Sequence, residues 1–229
     1  SGVTEIGYSS FDGCTSLVNL ELPENLTTIG SQAFINCSSL KMDKLPDVLE
    51  YLEPYAFDGC KAISISELPA GLTTLGYNAF CYSGITKMDL SALTNLTTLP
   101  QSLFNGADSL KEVKLPSTIK IIDYRAFNGC VSLSGIELPK SLETIESYAF
   151  QNCKKLGEFK LPEKLTHIGK NAFLDSGIYL NDAYWTDGGL YMLNILFDVR
   201  DDREVFRIKD GTASIAPTAF EKTKNIKEV

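Results

Sequence analysis

Leu17-Val-Asn-Leu20-Glu-Leu22-Pro23-Glu-Asn-Leu26-Thr-Thr-Ile29-Gly30-Ser-Gln-Ala33-Phe34-Ile-Asn-Cys37-Ser-Ser39 is one unit of a pattern that starts again at Leu40. Its phenylalanine recurs at Phe11, Phe34, Phe57, Phe80, Phe104, Phe127, Phe150, Phe173 and Phe220, in steps of 23, 23, 23, 24, 23, 23, 23 and 47 residues. The last step is two periods long. A fixed period in this range is the signature of stacked repeats, each unable to bury its apolar face alone. Such a chain is a quasi-one-dimensional solenoid, so function is sought on an exposed face.

Within the unit, Leu20 and Leu22 alternate with Asn19 and Glu21, the pattern of a short half-buried strand. Proline closes it at Pro23, Pro46, Pro69, Pro116, Pro139 and Pro162, as suits a residue with no N–H for a ladder. A second apolar pair follows, Leu26 with Ile29, repeated as Leu49/Leu52, Leu72/Leu75, Leu96/Leu99, Leu142/Ile145 and Leu165/Ile168. It reads as a second extended segment on another side of the coil. The Ala-Phe turn completes the unit, with at most one helical or 3₁₀ turn and phenylalanine as the largest core filler. The expected fold is a solenoid of about eight to nine coils with short parallel strands about 4.8 Å apart.

One domain is expected over residues 1–229. It comprises regular coils over 1–178, a β-hairpin insertion over 179–214, and a resumed repeat over 215–229. The insertion is read from apolar stretches around Asp187-Gly188 and Asp210-Gly211. Two coils are one residue short, at Tyr82-Ser83-Gly84-Ile85 and Asp175-Ser176-Gly177-Ile178, where glycine is expected to permit the tighter turn. Both ends of the chain lie inside a repeat, so the sequence reads as a fragment of a longer protein, with flanking domains expected and no signal peptide in the stretch itself.

The columns Leu-x-x-Φ-x-Leu-Pro-x-x-Leu-x-x-Ile-Gly-x-x-Ala-Phe-x-Gly-Cys closely resemble the BspA-like class of leucine-rich repeats. Ala-Phe occurs in seven repeats and Phe-x-x-Cys in five. The resemblance covers nearly the whole chain, including the hairpin segment. The asparagine ladder of the general leucine-rich consensus is missing: its place is taken by Asn25, Val48, Gly71, Thr118, Ser141 and Lys164. The resemblance implies a secreted or cell-surface location, binding to a protein or host matrix, and no enzyme activity.

Composition narrows the function classes. Net charge is −8, with 21 Lys plus Arg against 29 Asp plus Glu, which argues against nucleic acid and against docking on anionic lipid. No apolar run is long enough to span a membrane. There is one histidine, His167, and no C-x-x-C pair, G-x-S-x-G or P-loop. No metal, cofactor or catalytic set is therefore expected. Five of the six cysteines share a column (Cys14, Cys37, Cys60, Cys130, Cys153) and are expected as free, buried small hydrophobes.

Two features are candidates for binding. The outward position of the first strand reads Glu21, Lys44, Glu67, Asp89, Lys114, Glu137 and Lys160. Mixed signs there suit either a solvated ladder or a partner-binding strip. Its outward neighbours are Asn19, Met42, Ile65, Lys87, Glu112, Gly135 and Glu158, with Met42 and Ile65 expected as a small exposed apolar patch. The second candidate is the Tyr184–Trp185 pair in the hairpin segment, a hot spot for protein or glycan or a seal of the hairpin against the core. The tyrosine pairs Tyr55/Tyr77 and Tyr124/Tyr148 either cover the turn or serve glycan stacking. Three functions remain open: a non-catalytic binding module for a protein or glycan of a host or matrix, a rigid spacer, and a carbohydrate-binding surface.

Overall fold

The structure is a computed structural model that describes residues 2–157, 160–192, 194–200 and 203–229. It is a parallel β-solenoid of about nine coils, almost without helix. Among the described residues the only helical segment is a 3₁₀ turn at Asp182–Tyr184, and no helix is long and apolar enough to cross a membrane.

The second apolar pair builds the main ladder. Strands β1 (Glu5–Ile6), β2 (Thr28–Ile29), β3 (Tyr51–Leu52) and β4 (Thr74–Leu75) pair in parallel, Ile6 on Ile29 on Leu52 on Leu75. Among the described residues the first apolar segment forms regular strands in three coils, β5 (Lys87–Asp89), β7 (Glu112–Lys114) and β9 (Gly135–Ile136). The main ladder resumes with β6 (Thr98–Leu99), β8 (Ile121–Ile122), β10 (Thr144–Ile145) and β11 (His167–Ile168). The break between β4 and β6 coincides with the 24-residue coil, in which Leu90-Ser91 replaces Leu-Pro and Leu103 replaces alanine before Phe104.

The Ala-Phe turn forms a third ladder that is neither helix nor sheet. Phe11, Phe34, Phe57, Phe104, Phe127 and Phe150 each donate their backbone N–H to the alanine carbonyl of the next coil at 2.7–2.9 Å. The residue before Ala-Phe is left-handed throughout: Gln32, Tyr55, Asn78, Ser102, Arg125, Tyr148, Asn171 and Thr218 have φ of 52–67°. Each non-glycine there gives up about 1–2 kcal/mol, offset by the bonds between coils and by the ring stack inside. Eight phenylalanines, Phe11 to Phe173, stack with centroids 5.1–6.2 Å apart and planes within 22°. The widest spacing, 6.2 Å between Phe80 and Phe104, falls where Leu103 replaces alanine. There too the backbone bond is longest, Phe80 N to Leu103 O at 3.1 Å.

The chain from Ile178 leaves this plan and returns to it. After the 3₁₀ turn come β12 (Trp185–Thr186), β13 (Gly189–Met192) and β14 (Ile195–Val199), with β13 antiparallel to the strand on either side of it. Strand β14 then pairs in parallel with β15 (Ser214–Ile215), Leu196 opposite Ile215. Leu196 thus stands in the isoleucine column of the main ladder, and the second hairpin strand serves as one rung of the solenoid. Val205 pairs in parallel with Glu228, so residues from 203 onward already follow the coil pattern. Phe197 meets Phe173 edge-on at 5.8 Å and ends the stack of parallel rings. A second small core of Leu196, Val199, Phe206 and Ala219 follows.

The glycines of the two short coils do their work by a route other than the one expected. Neither Gly84 nor Gly177 has a positive φ. A Cβ on Gly84 would lie 1.8 Å from the Lys61 carbonyl oxygen, and one on Gly177 would lie 2.4 Å from that of Leu156. Deleting a residue pulls the turn against the preceding coil, and only a residue without a side chain fits.

Candidate binding surface

The seven charged positions, six before Leu-Pro and Asp89 before Leu90-Ser91, lie on the outer side of the first strand segment. Glu67 bridges Asp89 in parallel, and Asp89 stands opposite Lys114 in the β5–β7 register. Lys114 and Glu137 line one groove, Glu137 and Lys160 the next, and Lys44 and Glu67 a third. All seven are exposed except Asp89, which is half-exposed. One cross-coil pair closes, Lys114 Nζ to Asp89 Oδ2 at 3.3 Å. Asp89 also accepts from Ser91 N at 2.9 Å. The Ser91 hydrogen bonds, and then Lys114, hold its carboxyl below the usual carboxylate range. Lys44 pairs within its own turn with Asp47 at 3.1 Å. Among the described residues, Glu21, Glu67, Glu137 and Lys160 make no ion pair within 4.0 Å.

Met42 and Ile65 do not form the expected exposed patch. Met42 is 6% exposed and Ile65 is fully buried. In these two coils the strand reads Leu40-Lys-Met42-Asp-Lys-Leu45 and Ile63-Ser-Ile65-Ser-Glu-Leu68. The inward apolar residue comes one place earlier than Leu20, Met88, Val113 or Ile136 in their coils. Asp43 and Ser66, at the usual inward place, are polar, so Met42 and Ile65 turn in and fill the core. Of their column, Glu158 lies outside the described residues.

Beside the Lys114 to Lys160 part of the charged column lies a shallow floor of nearly buried apolar side chains. Ile136, Leu138, Leu161 and Pro162 line a groove of about 690 Å³ rimmed by Glu137, Lys140, Lys160, Glu163 and Lys164. An adjoining groove of about 590 Å³ has Val113, Leu115, Leu138 and Pro139 on its floor and Lys114 on its rim.

The hairpin pair is spent differently. Tyr184 packs against the main core. The Trp185 Nε1 donates to the Tyr179 carbonyl at 2.9 Å, its ring meets Tyr179 edge-on at 5.4 Å, and the Arg200 guanidinium covers its other face at 4.4 Å. Both side chains are half-buried and attach the hairpin to the solenoid. Next to them lies a cluster that sequence reasoning missed. Tyr179 Oη donates to Asp198 Oδ2 and accepts from Lys222 Nζ, each at 2.9 Å, and Lys222 Nζ also donates to Asp198 Oδ2 at 2.9 Å. Burial raises the Tyr179 hydroxyl above its ordinary pKa. Burial opposes the charge on Lys222, but its hydrogen bonds to Tyr179 and Asp198 outweigh this and raise it. A tyrosine held protonated and a lysine held charged are the reverse of an activated base or nucleophile. The adjacent cavity, about 20 Å³, has room for one water. The cluster is a clasp joining coil, hairpin and final turn.

The cysteine column is structural. Cys37, Cys60, Cys130 and Cys153 donate Sγ–H to the carbonyls of Phe11, Phe34, Phe104 and Phe127 at 3.0–3.1 Å. Burial pushes all four thiols above their ordinary pKa, which keeps them protonated as donors. All six cysteines are free, and Cys14 alone is exposed. Among the described residues no group of three or more His, Cys, Asp or Glu side chains is placed to hold a metal ion.

The tyrosine pairs meet edge-on, Tyr55 with Tyr77 at 5.3 Å and Tyr124 with Tyr148 at 5.7 Å. The Arg125 guanidinium lies over both rings of the second pair, at 5.0 and 5.4 Å.

Parallel ladders, a continuous phenylalanine stack and a repeated Leu-Pro corner define a leucine-rich-repeat solenoid. The chain belongs to the BspA-type leucine-rich-repeat family, whose profile matches residues 1–104 and 88–185 in six copies. It is similar to a leucine-rich-repeat protein of Bacteroides ovatus ATCC 8483, at 25% identity and a TM-score of 0.74, over 98% of this chain and 51% of that one. A second, from Eubacterium ventriosum ATCC 27560, matches at 26% identity and a TM-score of 0.57, over 82% and 47%. A third, from T. pallidum, matches at 28% and 0.51, over 76% and 70%. The chain spans about half the length of the first two. No curated protein matches it.

Proposed function

We propose that this chain is a non-catalytic, extracellular or cell-surface recognition module that binds a protein partner through the outer face of its first strand segment. The observation that carries the reading is the column of seven charges from Glu21 to Lys160, flanked along Lys114 to Lys160 by an apolar floor. Four of those charges have no ion-pair partner in the described chain. A solvated ladder built for stability alone would close its cross-coil pairs, and only Asp89–Lys114 does so. The surface location rests on the family, and a partner from a host or its matrix is the kind such a location offers.

The test immobilises the domain and exposes it to host matrix proteins, mucins and glycans at physiological salt. The reading expects a saturable, salt-sensitive protein hit that weakens when Lys44, Lys114 and Lys160 are reversed to glutamate. Unchanged affinity removes the strand face from consideration. Silence across the whole panel favours a rigid spacer that displays a neighbouring domain.

A further inference from the structure

The charged column is its own complement. From Glu21 to Lys160 its signs run minus, plus, minus, minus, plus, minus, plus. Laid against a copy of itself with the solenoid axis reversed, Glu21 faces Lys160, Lys44 faces Glu137, and Glu67 faces Lys114, each pair occurring twice. Only the centre, Asp89 against Asp89, sets like against like. We propose that a second copy of this chain docks on the strip in this antiparallel arrangement, giving a closed two-fold dimer. The inference rests on the strand face being the binding surface and names an occupant for it.

Three observations support the geometry. From Glu67 through Asp89 and Lys114 to Glu137 the coils stand in register at a strand spacing of about 4.8 Å, so a register met at one of these coils is met at the next. An unrelated partner would have to reproduce that pitch by its own means. Next, the one like-charge contact falls on the two-fold axis, at Asp89, the strip residue whose charge is best compensated within its own chain. Lys114 Nζ lies 3.3 Å from it and Ser91 N donates to it at 2.9 Å. Finally, the side chains that the arrangement uses are available. Lys44 and Lys114 are each 64% exposed, and Glu21, Glu67, Glu137 and Lys160 have no ion pair among the described residues.

The alternatives are distinguishable. A parallel two-fold dimer sets like on like at every coil. A parallel arrangement slipped by one coil restores most pairings, but it is heterologous and leaves an open end that recruits further copies. Only the antiparallel form places Lys44 opposite Glu137.

The test is sedimentation equilibrium over a concentration series at about 20 mM and about 500 mM NaCl, between which the screening length falls from roughly 20 Å to roughly 4 Å. A monomer–dimer equilibrium is expected, with a dissociation constant at least about tenfold weaker at the higher salt. Lys44→Glu enters the interface twice by symmetry and should weaken the dimer at least about tenfold. Adding Glu137→Lys in the same chain should return it to within about threefold of the parent. Circular dichroism of each variant confirms that it is folded. A chain that stays monomeric at low salt, a series of larger assemblies, or a double variant that fails to recover would each overturn the proposal. Binding to the matrix panel separates the two levels. If the chain is monomeric yet Lys44→Glu abolishes a panel hit, the strip serves a foreign protein and only the dimer is wrong.

Discussion

Replacing Gly84 with alanine puts a methyl group where the preceding coil already has its backbone. The added Cβ would lie 1.8 Å from the Lys61 carbonyl oxygen and 2.6 Å from its carbonyl carbon. To bring that oxygen even to the 3.0 Å floor of real Cβ contacts, the two coils must separate by more than an ångström. The separation strains the bond from Gly84 N to Cys60 O, now 3.0 Å. Overpacking of this kind costs about 1–3 kcal/mol, and a weakened backbone hydrogen bond adds about 1 kcal/mol. A total of about 2–4 kcal/mol corresponds to a fall in Tm on the order of 5–15 °C for a domain of this size. Gly135→Ala is the control, since nothing lies within 4 Å of its would-be Cβ and its φ is not positive. That change should be neutral or stabilising by about 0.4–1 kcal/mol through the unfolded chain. Urea unfolding of both variants beside the parent reads the difference. Equal midpoints for the two would mean that the short coil does not press on its neighbour, and would refute the stacking derived for it.

Three other outcomes follow from the same geometry. Native protein should show one thiol that reacts quickly, Cys14, and six thiols after denaturation without reductant; fewer than six would mean that the column is paired. Asp58 is half-buried, and burial raises its carboxyl to about 6, with Lys61 opposing. Because the folded value lies above the unfolded 3.8, its charge destabilises the fold above about pH 6, and the cost fades as pH falls toward 4. Asp58→Asn should therefore raise Tm at pH 7.5 and leave it unchanged near pH 3.5, and a pH-independent difference would sink the assignment. Lys222→Met leaves the Asp198 carboxylate, whose side chain is 12% exposed, with its bonds from Tyr179 and Val199 but no cation beside it, at a cost of about 1–3 kcal/mol. Hydrogen exchange should then quicken in Ile195–Val199 and in the final turn but not in the coils before Phe104; uniform quickening would contradict a local clasp.

Much of this fold is legible in the chain because the repeat averages over its own noise. The phenylalanine period alone predicts the ring stack, and the Leu-Pro and Leu-x-x-Ile columns place both strand segments. What escapes is whatever one coil does differently. Met42 and Ile65 escape because Leu-x-Met and Leu-x-x-Φ are both acceptable strand phases, and only the polar Asp43 and Ser66 decide between them. The left-handed turn escapes at Tyr55, Arg125 and Tyr148, since such residues give no sign of a positive φ. The following left-handed position is plainer, with Gly13, Gly59, Gly106 and Gly129 beside Asn36 and Asn152. The role of β14 as a rung depends on pairing with Ser214–Ile215, and the clasp joins Tyr179, Asp198 and Lys222. No local pattern announces contacts over such separations. The charged strip, by contrast, is visible as a column. Its apolar floor and its unclosed pairs appear only once the coils are stacked.

The most direct test of the account is residue-resolved footprinting of lysines and carboxylates, with and without saturating partner, whether a second copy or a hit from the matrix panel. The account predicts protection at Lys44, Lys114, Lys160, Glu67 and Glu137, with Lys209 and Lys227 unchanged. Protection confined to the hairpin segment, with the strip as reactive as in the free monomer, would contradict it.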